Sequence, residues 1–110
     1  MNLEDGPKGE YLIDRLASET VQMIESFEAD AVEDGRPWFV MYAPYAVHTP
    51  IQAGSEAVAA MKIRHPQMND RSARYAVMVE ATDRAVGTIL AAVDLDRTVV
   101  CFASDNGGLQ

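Results

Sequence analysis

Residues 38–50 read WFVMYAPYAVHTP, and the fold class expected from the sequence depends most on them. Residues 38–43 are apolar without alternation and lie between Pro37 and Pro44, a pattern typical of a strand buried on both faces. Residues 98–103, TVVCFA, form a second apolar run that is rich in β-branched side chains. Strands of this kind usually belong to parallel sheets covered by helices, so both runs predict strands of such a sheet.

Helical patterns surround the two apolar runs. Ser18 is a good N-cap residue, and the apolar residues after it recur at near-helical spacing and stop before Gly35, which predicts a first helix over 18–33. Ser55 is expected to cap a short helix that reaches about Arg64, and a long amphipathic helix opens near Asn69 or Asp70. The apolar stripe of the long helix contains Met78, Thr82, Val86, Ile89, Leu90 and Val93.

The order helix, strand, loop, helices, strand, loop predicts an α/β fold with parallel strands. Parallel neighbours need a connection that crosses the face of the sheet, and the intervening helices supply it. The length of 110 residues allows one structural unit or part of one, because a small domain buries too little surface to divide. Residues 1–10 are polar and rich in Gly and Pro, which predicts a loop.

Composition excludes several classes of function. The chain has 9 Lys and Arg against 17 Asp and Glu, a formal charge of −8, which disfavours nucleic acid and anionic lipid surfaces as partners. No apolar stretch approaches the roughly 20 residues that a membrane-spanning helix needs, and the N-terminus lacks the pattern of a signal peptide. The single cysteine, Cys101, excludes an internal disulfide, and its apolar neighbours predict a small buried residue rather than a nucleophile.

Polar residues follow both predicted strands. The first strand is followed by His48 and Thr49, in a stretch from Pro44 to Gly54 that predicts an irregular loop. The second strand is followed by Ser104, Asp105 and Asn106. In open α/β sheets, ligands collect beyond the carboxyl ends of the strands, so these loops are expected to converge. A carboxylate and an amide carbonyl are hard oxygen ligands suited to Ca²⁺ or Mg²⁺, although calcium takes about six to eight oxygens.

Ordinary structural roles for the same residues stay open at this point. Asp, Asn and Gly are common turn residues, and the sequence Asn106-Gly107 favours a type I′ hairpin turn. His48 is equally consistent with a loop histidine that bonds to backbone. His65, beside Pro66, is expected to be a solvated residue at a helix end.

Three segments resemble the type I (formylglycine-dependent) sulfatases of the alkaline-phosphatase-like superfamily. They are residues 38–50, residues 75–80 (YAVMVE) together with the Asp, Val and Gly at 83, 86 and 87, and residues 102–108 (FASDNGG). The resemblance runs from about Gly9 to the end of the chain, and residues 11–16 contribute to it. It implies that residues 1–110 are a fragment of a sulfatase catalytic domain, an α/β sandwich with a mostly parallel sheet flanked by helices.

The resemblance also implies roles for individual residues. Asp105 and Asn106 correspond to ligands of one active-site calcium ion, whose other ligands lie outside this chain. His48 corresponds to a catalytic, substrate-binding histidine that donates a hydrogen bond to the sulfate group. The implied activity is hydrolysis of sulfate esters, with an aryl sulfate or a sulfated sugar as substrate.

Several parts of the sulfatase pattern are missing: the nucleophile motif, the first pair of metal-binding aspartates, and the lysine and histidine that lie between the nucleophile and this region. The family's nucleophile is a formylglycine made from Cys or Ser in a (Cys or Ser)-x-Pro-x-Arg motif, and no such motif occurs in the 110 residues. Cys101 is followed by Phe102 and Ala103 and cannot be that nucleophile. We therefore expect the nucleophile upstream, and negligible turnover by this fragment alone. A phosphoester or phosphonate hydrolase of the same superfamily and a degenerate, non-catalytic α/β module are the alternative functions.

Overall fold

Three helices make up the regular structure of the part of the chain described. The computed structural model describes residue 6 and residues 9–108. Helix α1 spans Leu12–Asp34, α2 spans Ser55–Arg64 and α3 spans Asp70–Ala91. Helix α3 lies between the other two and packs against both. Residues 6, 9 and 10 lie outside any helix, and the rest of the loop predicted over 1–10 lies outside the described residues.

Helix α1 begins earlier than the sequence predicts and ends where it predicts. Tyr11 is the extended N-cap residue, whereas Ser18, the predicted cap, lies inside the helix and donates its hydroxyl to the Asp14 carbonyl at 3.0 Å. The helix ends at Gly35, which has a φ of 73° and donates its N–H to the Ala31 carbonyl. This left-handed conformation favours glycine, which explains the sharp stop.

The bounds predicted for α2 and the start predicted for α3 are confirmed. The N-cap residue of α2 is Gly54, so Ser55 is the first helical residue rather than the cap. Asn69 caps α3, since its side-chain oxygen accepts a hydrogen bond from the Ser72 N–H at 2.9 Å. That bond satisfies one of the N–H groups that the first turn of a helix leaves without a partner.

Two clusters of buried residues pack against α3 in the described part of the chain. Ile13 and Ala17 of α1 pack against Ala81 and Ala85. Val58 and Met61 of α2 pack against a second set on α3, Ala73 and Val77. The apolar stripe that the sequence predicts for the long helix is only partly buried. Met78 is buried, and the other residues of the stripe are half-buried. Three of the five buried residues of α3 are alanines, namely Ala73, Ala81 and Ala85.

The predicted α/β fold with a mostly parallel sheet is wrong for this structure. Residues 9–108 contain three helices and no strand, and residues 38–43 and 98–103 are irregular. Neither run takes part in a backbone–backbone hydrogen bond among the described residues. A run of apolar, β-branched residues becomes a strand only by pairing with a neighbour, and here the two runs do not pair.

The exposed side chains of the two apolar runs agree with the absence of a sheet from the described residues. Phe39 and Met41 are 85% and 78% exposed, and Val99 and Phe102 are 90% and 84% exposed. Only Tyr42, from the first run, packs against the cluster between α1 and α3. Cys101 is exposed, so the prediction of a buried core cysteine is also wrong.

Candidate active site

His48 lies in an exposed turn between the first apolar run and α2. The His48 N–H donates to the Tyr45 carbonyl at 2.9 Å and closes the turn. The backbone of this loop includes cis peptide bonds at Ala46-Val47 and Thr49-Pro50. The irregular loop predicted from Pro44 to Gly54 is confirmed, and it presents the imidazole to solvent.

The imidazole of His48 has a defined orientation. Its Nδ1 lies 2.8 Å from the Thr49 carbonyl oxygen, and the Thr49 hydroxyl lies farther away, at 3.4 Å. A carbonyl oxygen can only accept, so Nδ1 carries the proton of the shorter bond. Nε2 therefore faces outward as an acceptor when the ring is neutral, and as a donor when the ring is an imidazolium.

Asp105 and Asn106 lie in an exposed bend after the second apolar run. The Ser104 hydroxyl donates to the Asn106 backbone carbonyl at 2.6 Å and stabilises the bend. Gly107 lacks the positive φ that a type I′ turn requires, and no non-glycine residue among those described has a positive φ. The hairpin turn considered from the sequence is therefore not formed.

The donor set at this bend suits a hard cation. The side chains of Asp105 and Asn106 form no ion pair or hydrogen bond with the described residues, so a carboxylate and an amide oxygen both remain available. These oxygens fit calcium chemistry but supply two of the roughly six to eight ligands that the ion takes. Within residue 6 and residues 9–108, no group of three or more His, Cys, Asp and Glu could hold a metal ion.

The two candidate loops approach the same side of α3. Val47, next to His48, and Phe102, three residues before Asp105, line one cavity of about 240 Å³. Its other walls are Ala46 and four residues of α3, namely Val79, Thr82, Asp83 and Val86. His48, Asp105 and Asn106 do not themselves line this cavity, so the expected convergence of the candidate side chains stays a prediction. No hydrogen bond or ion pair among the described residues joins His48 to Asp105 or Asn106.

A second cavity, of about 420 Å³, lies between α2, α3 and the segment before α1. The Tyr11 hydroxyl donates to the Gln52 carbonyl at 3.0 Å across its wall. Burial raises the pKa of Tyr11, the Asp14 carboxylate raises it further, and the Arg84 guanidinium opposes both. Tyr11 and Gln52 are 41 residues apart, and no local sequence signal reveals such a contact.

Tyr42 anchors the first apolar run to the helices. Its hydroxyl is buried and has no hydrogen-bond partner among the described residues. Burial raises the pKa of Tyr42, and the nearby Asp14 carboxylate adds to the increase. The ring packs beside the cluster of Ile13 and Ala81, so this residue positions the start of the His48 loop against α1 and α3.

Comparison with known protein families identifies the class. A family model described as Sulfatase matches residues 2–109, nearly the whole chain. The chain therefore belongs to the sulfatase family, a family of sulfate-ester hydrolases, which confirms the resemblance noted in the sequence. No solved structure matches the chain. None of the helices in the described residues is long and apolar enough to cross a membrane.

Proposed function

We propose that this chain supplies part of the active site of a calcium-dependent, arylsulfatase-like sulfuric ester hydrolase. The sulfatase-family match over residues 2–109 carries the proposal. His48, Asp105 and Asn106 stand at the positions that the sulfatase pattern assigns to sulfate binding and metal ligation. Their exposed side chains support that assignment, and so does the cavity beside α3, which is lined by Val47 and Phe102 from the two segments that carry them.

Asp105 and Asn106 would hold the calcium ion through their side-chain oxygens. A bound calcium ion draws electron density from the sulfate oxygens and offsets negative charge as sulfur is attacked. The Ser104 bond to the Asn106 carbonyl fixes the backbone between the two ligands, so less conformational entropy is lost on binding.

His48 would contact the sulfate group from the loop on the other side of the cavity. Because Nδ1 is committed to the Thr49 carbonyl, Nε2 is the nitrogen that faces a ligand. An N–H at Nε2 would donate a hydrogen bond to a sulfate oxygen while Nδ1 keeps its bond to Thr49. The orientation is set before substrate arrives.

The nucleophile and the other calcium ligands would come from residues outside these 110. The test is to express the complete reading frame that encodes the chain and to measure kcat/KM on 4-nitrophenyl sulfate and 4-nitrophenyl phosphate. We expect the sulfate ester to be preferred and the 110-residue chain alone to show negligible turnover. Preference for the phosphate ester would support the phosphohydrolase alternative, and no turnover of either ester would support the non-catalytic one.

Two substitutions test the assigned residues within that protein. His48→Ala and Asp105→Ala are each expected to lower kcat/KM at least about tenfold, which is about 1.4 kcal/mol in the barrier. His65→Ala and Asp96→Ala are matched controls outside the proposed site and should leave kcat/KM within about twofold. An unchanged kcat/KM in His48→Ala or Asp105→Ala removes that residue from the site.

A further inference from the structure

The segment that carries Asp105 and Asn106 runs along α3. Phe102 lines the cavity beside Val79 and Val86, and Gly108 lies beside Tyr75, nearer the start of the same helix. The segment therefore follows the helix toward its N-terminus, with the two proposed ligands between these contacts. Whatever fixes Gly108 also limits how far Asp105 and Asn106 can move.

Tyr75 fills the space that a side chain at position 108 would need. A Cβ built on Gly108 would lie 2.6 Å from the Tyr75 hydroxyl oxygen and 3.7 Å from the ring carbon that carries it. At Gly107 a built Cβ meets no atom of the described residues within 4 Å. Neither glycine has a positive φ, so among the described residues Tyr75 restricts position 108 and no side chain restricts position 107.

From this geometry we infer that Tyr75 is a positioning residue that holds the Asp105–Asn106 bend against α3, with Gly108 as its contact point. The inference rests on the proposed function in so far as the bend binds calcium. Bringing a Cβ from 2.6 Å to ordinary contact, which starts at 3.4 Å, requires the Tyr75 hydroxyl and position 108 to move apart by about 0.8 Å. Because Tyr75 is half-buried on α3, we expect the 105–108 segment to take up most of this movement. Calcium–oxygen distances span only about 0.3 Å, from roughly 2.3 to 2.6 Å, so a movement of that size in the segment disrupts ligation.

The contacts of position 108 with the Tyr75 hydroxyl oxygen and with the ring carbon that carries it suggest a test in which one substitution offsets the effect of another. Gly108→Ala creates the close contact with the hydroxyl, and Tyr75→Phe removes that hydroxyl. The remaining ring carbon, at 3.7 Å, is in ordinary van der Waals contact with the new methyl group. The double variant Tyr75→Phe/Gly108→Ala should therefore behave like Tyr75→Phe alone, a result that general destabilisation by Gly108→Ala would not produce.

Calcium affinity is the first measurement, made by isothermal titration of the chelator-treated protein from the complete reading frame. Gly108→Ala should weaken Ca²⁺ binding at least about tenfold, the lower end of what supporting residues contribute at metal sites. Gly107→Ala, the matched control, should stay within about twofold, and the double variant should return to within about threefold of Tyr75→Phe. Equal affinities for Gly108→Ala and Gly107→Ala, or no rescue, would overturn the inference.

The contact itself is tested without calcium by NMR of the 110-residue chain. Gly108→Ala should shift the Tyr75 ring signals and the amides of residues 104–106, whereas Gly107→Ala should leave the Tyr75 ring signals in place. If the unsubstituted protein shows no calcium binding while these shifts appear, the calcium proposal fails and the positioning role of Tyr75 stands. Unmoved Tyr75 signals in Gly108→Ala would refute the positioning role directly.

Discussion

The three helices and the two apolar runs differ in how their apolar residues are used. In the helices, Ala73 and Ala81 are fully buried and Met61 is 2% exposed. In the runs, Phe39, Met41, Val99 and Phe102 are all at least 78% exposed. The helices satisfy their backbone hydrogen bonds internally, whereas each run depends on a neighbouring strand. Apolar composition alone therefore does not decide burial.

The largest expected effect is the loss of stability in Met61→Ala, for which Met41→Ala is the comparison. Met61→Ala should lower the free energy of unfolding of the 110-residue chain by about 2–5 kcal/mol, because it leaves a cavity between α2 and α3. Met41→Ala, at a residue 78% exposed, should change it by less than about 0.5 kcal/mol. Urea unfolding followed by circular dichroism measures both. If Met41→Ala lowered the free energy of unfolding as much as Met61→Ala, the first apolar run would be buried and the contrast between the runs and the helices would be wrong.

A smaller loss of stability is expected in Asn69→Ala, for which Asn106→Ala is the comparison. Asn69→Ala removes the side-chain cap of α3 and should lower the free energy of unfolding by about 1 kcal/mol. Asn106→Ala removes a side chain that forms no hydrogen bond with the described residues, and should change stability by less than about 0.5 kcal/mol. The same urea titrations measure both variants. Similar losses for the two would mean that the Asp105–Asn106 bend contributes to the folded core.

The smallest effect concerns the ion pair between α2 and α3. Lys62 bonds to Asp70 and lowers the pKa of that carboxyl from its ordinary value of 3.8. A lowered folded-state pKa means that this contribution is present above about pH 4 and is lost as the pH falls through the folded-state value. Both side chains are exposed, so solvent screens the pair and the effect is small.

Thermal unfolding of Lys62→Met between about pH 6 and pH 3 tests this ion pair. We expect the melting temperature of the variant to fall less steeply on acidification than that of the unsubstituted chain. Arg97→Met removes a cation from a different surface and serves as the control, with an unchanged slope. A Lys62→Met slope equal to that of the unsubstituted chain would show that the pair adds nothing to acid stability.

Local signals account for the parts of the structure that the sequence predicted well. The Asn69 cap, the stop at Gly35 and the bounds of α2 all depend on residues within a few positions of each helix end. The sequence pattern places the start of α1 too late, because Ser18, a good cap residue, bonds to the carbonyl of Asp14 inside the helix. The same side chain is compatible with both positions, so the local pattern did not distinguish them.

The sequence by itself determined the helices, the loop that carries His48, the bend that carries Asp105 and Asn106, and the family, because each depends on local residue order. Tertiary structure decided which apolar residues are buried, that residues 38–43 and 98–103 do not pair, and that Tyr75 meets Gly108. Those outcomes depend on contacts between residues far apart in the chain. Such contacts leave no periodic or compositional trace in the sequence around either partner.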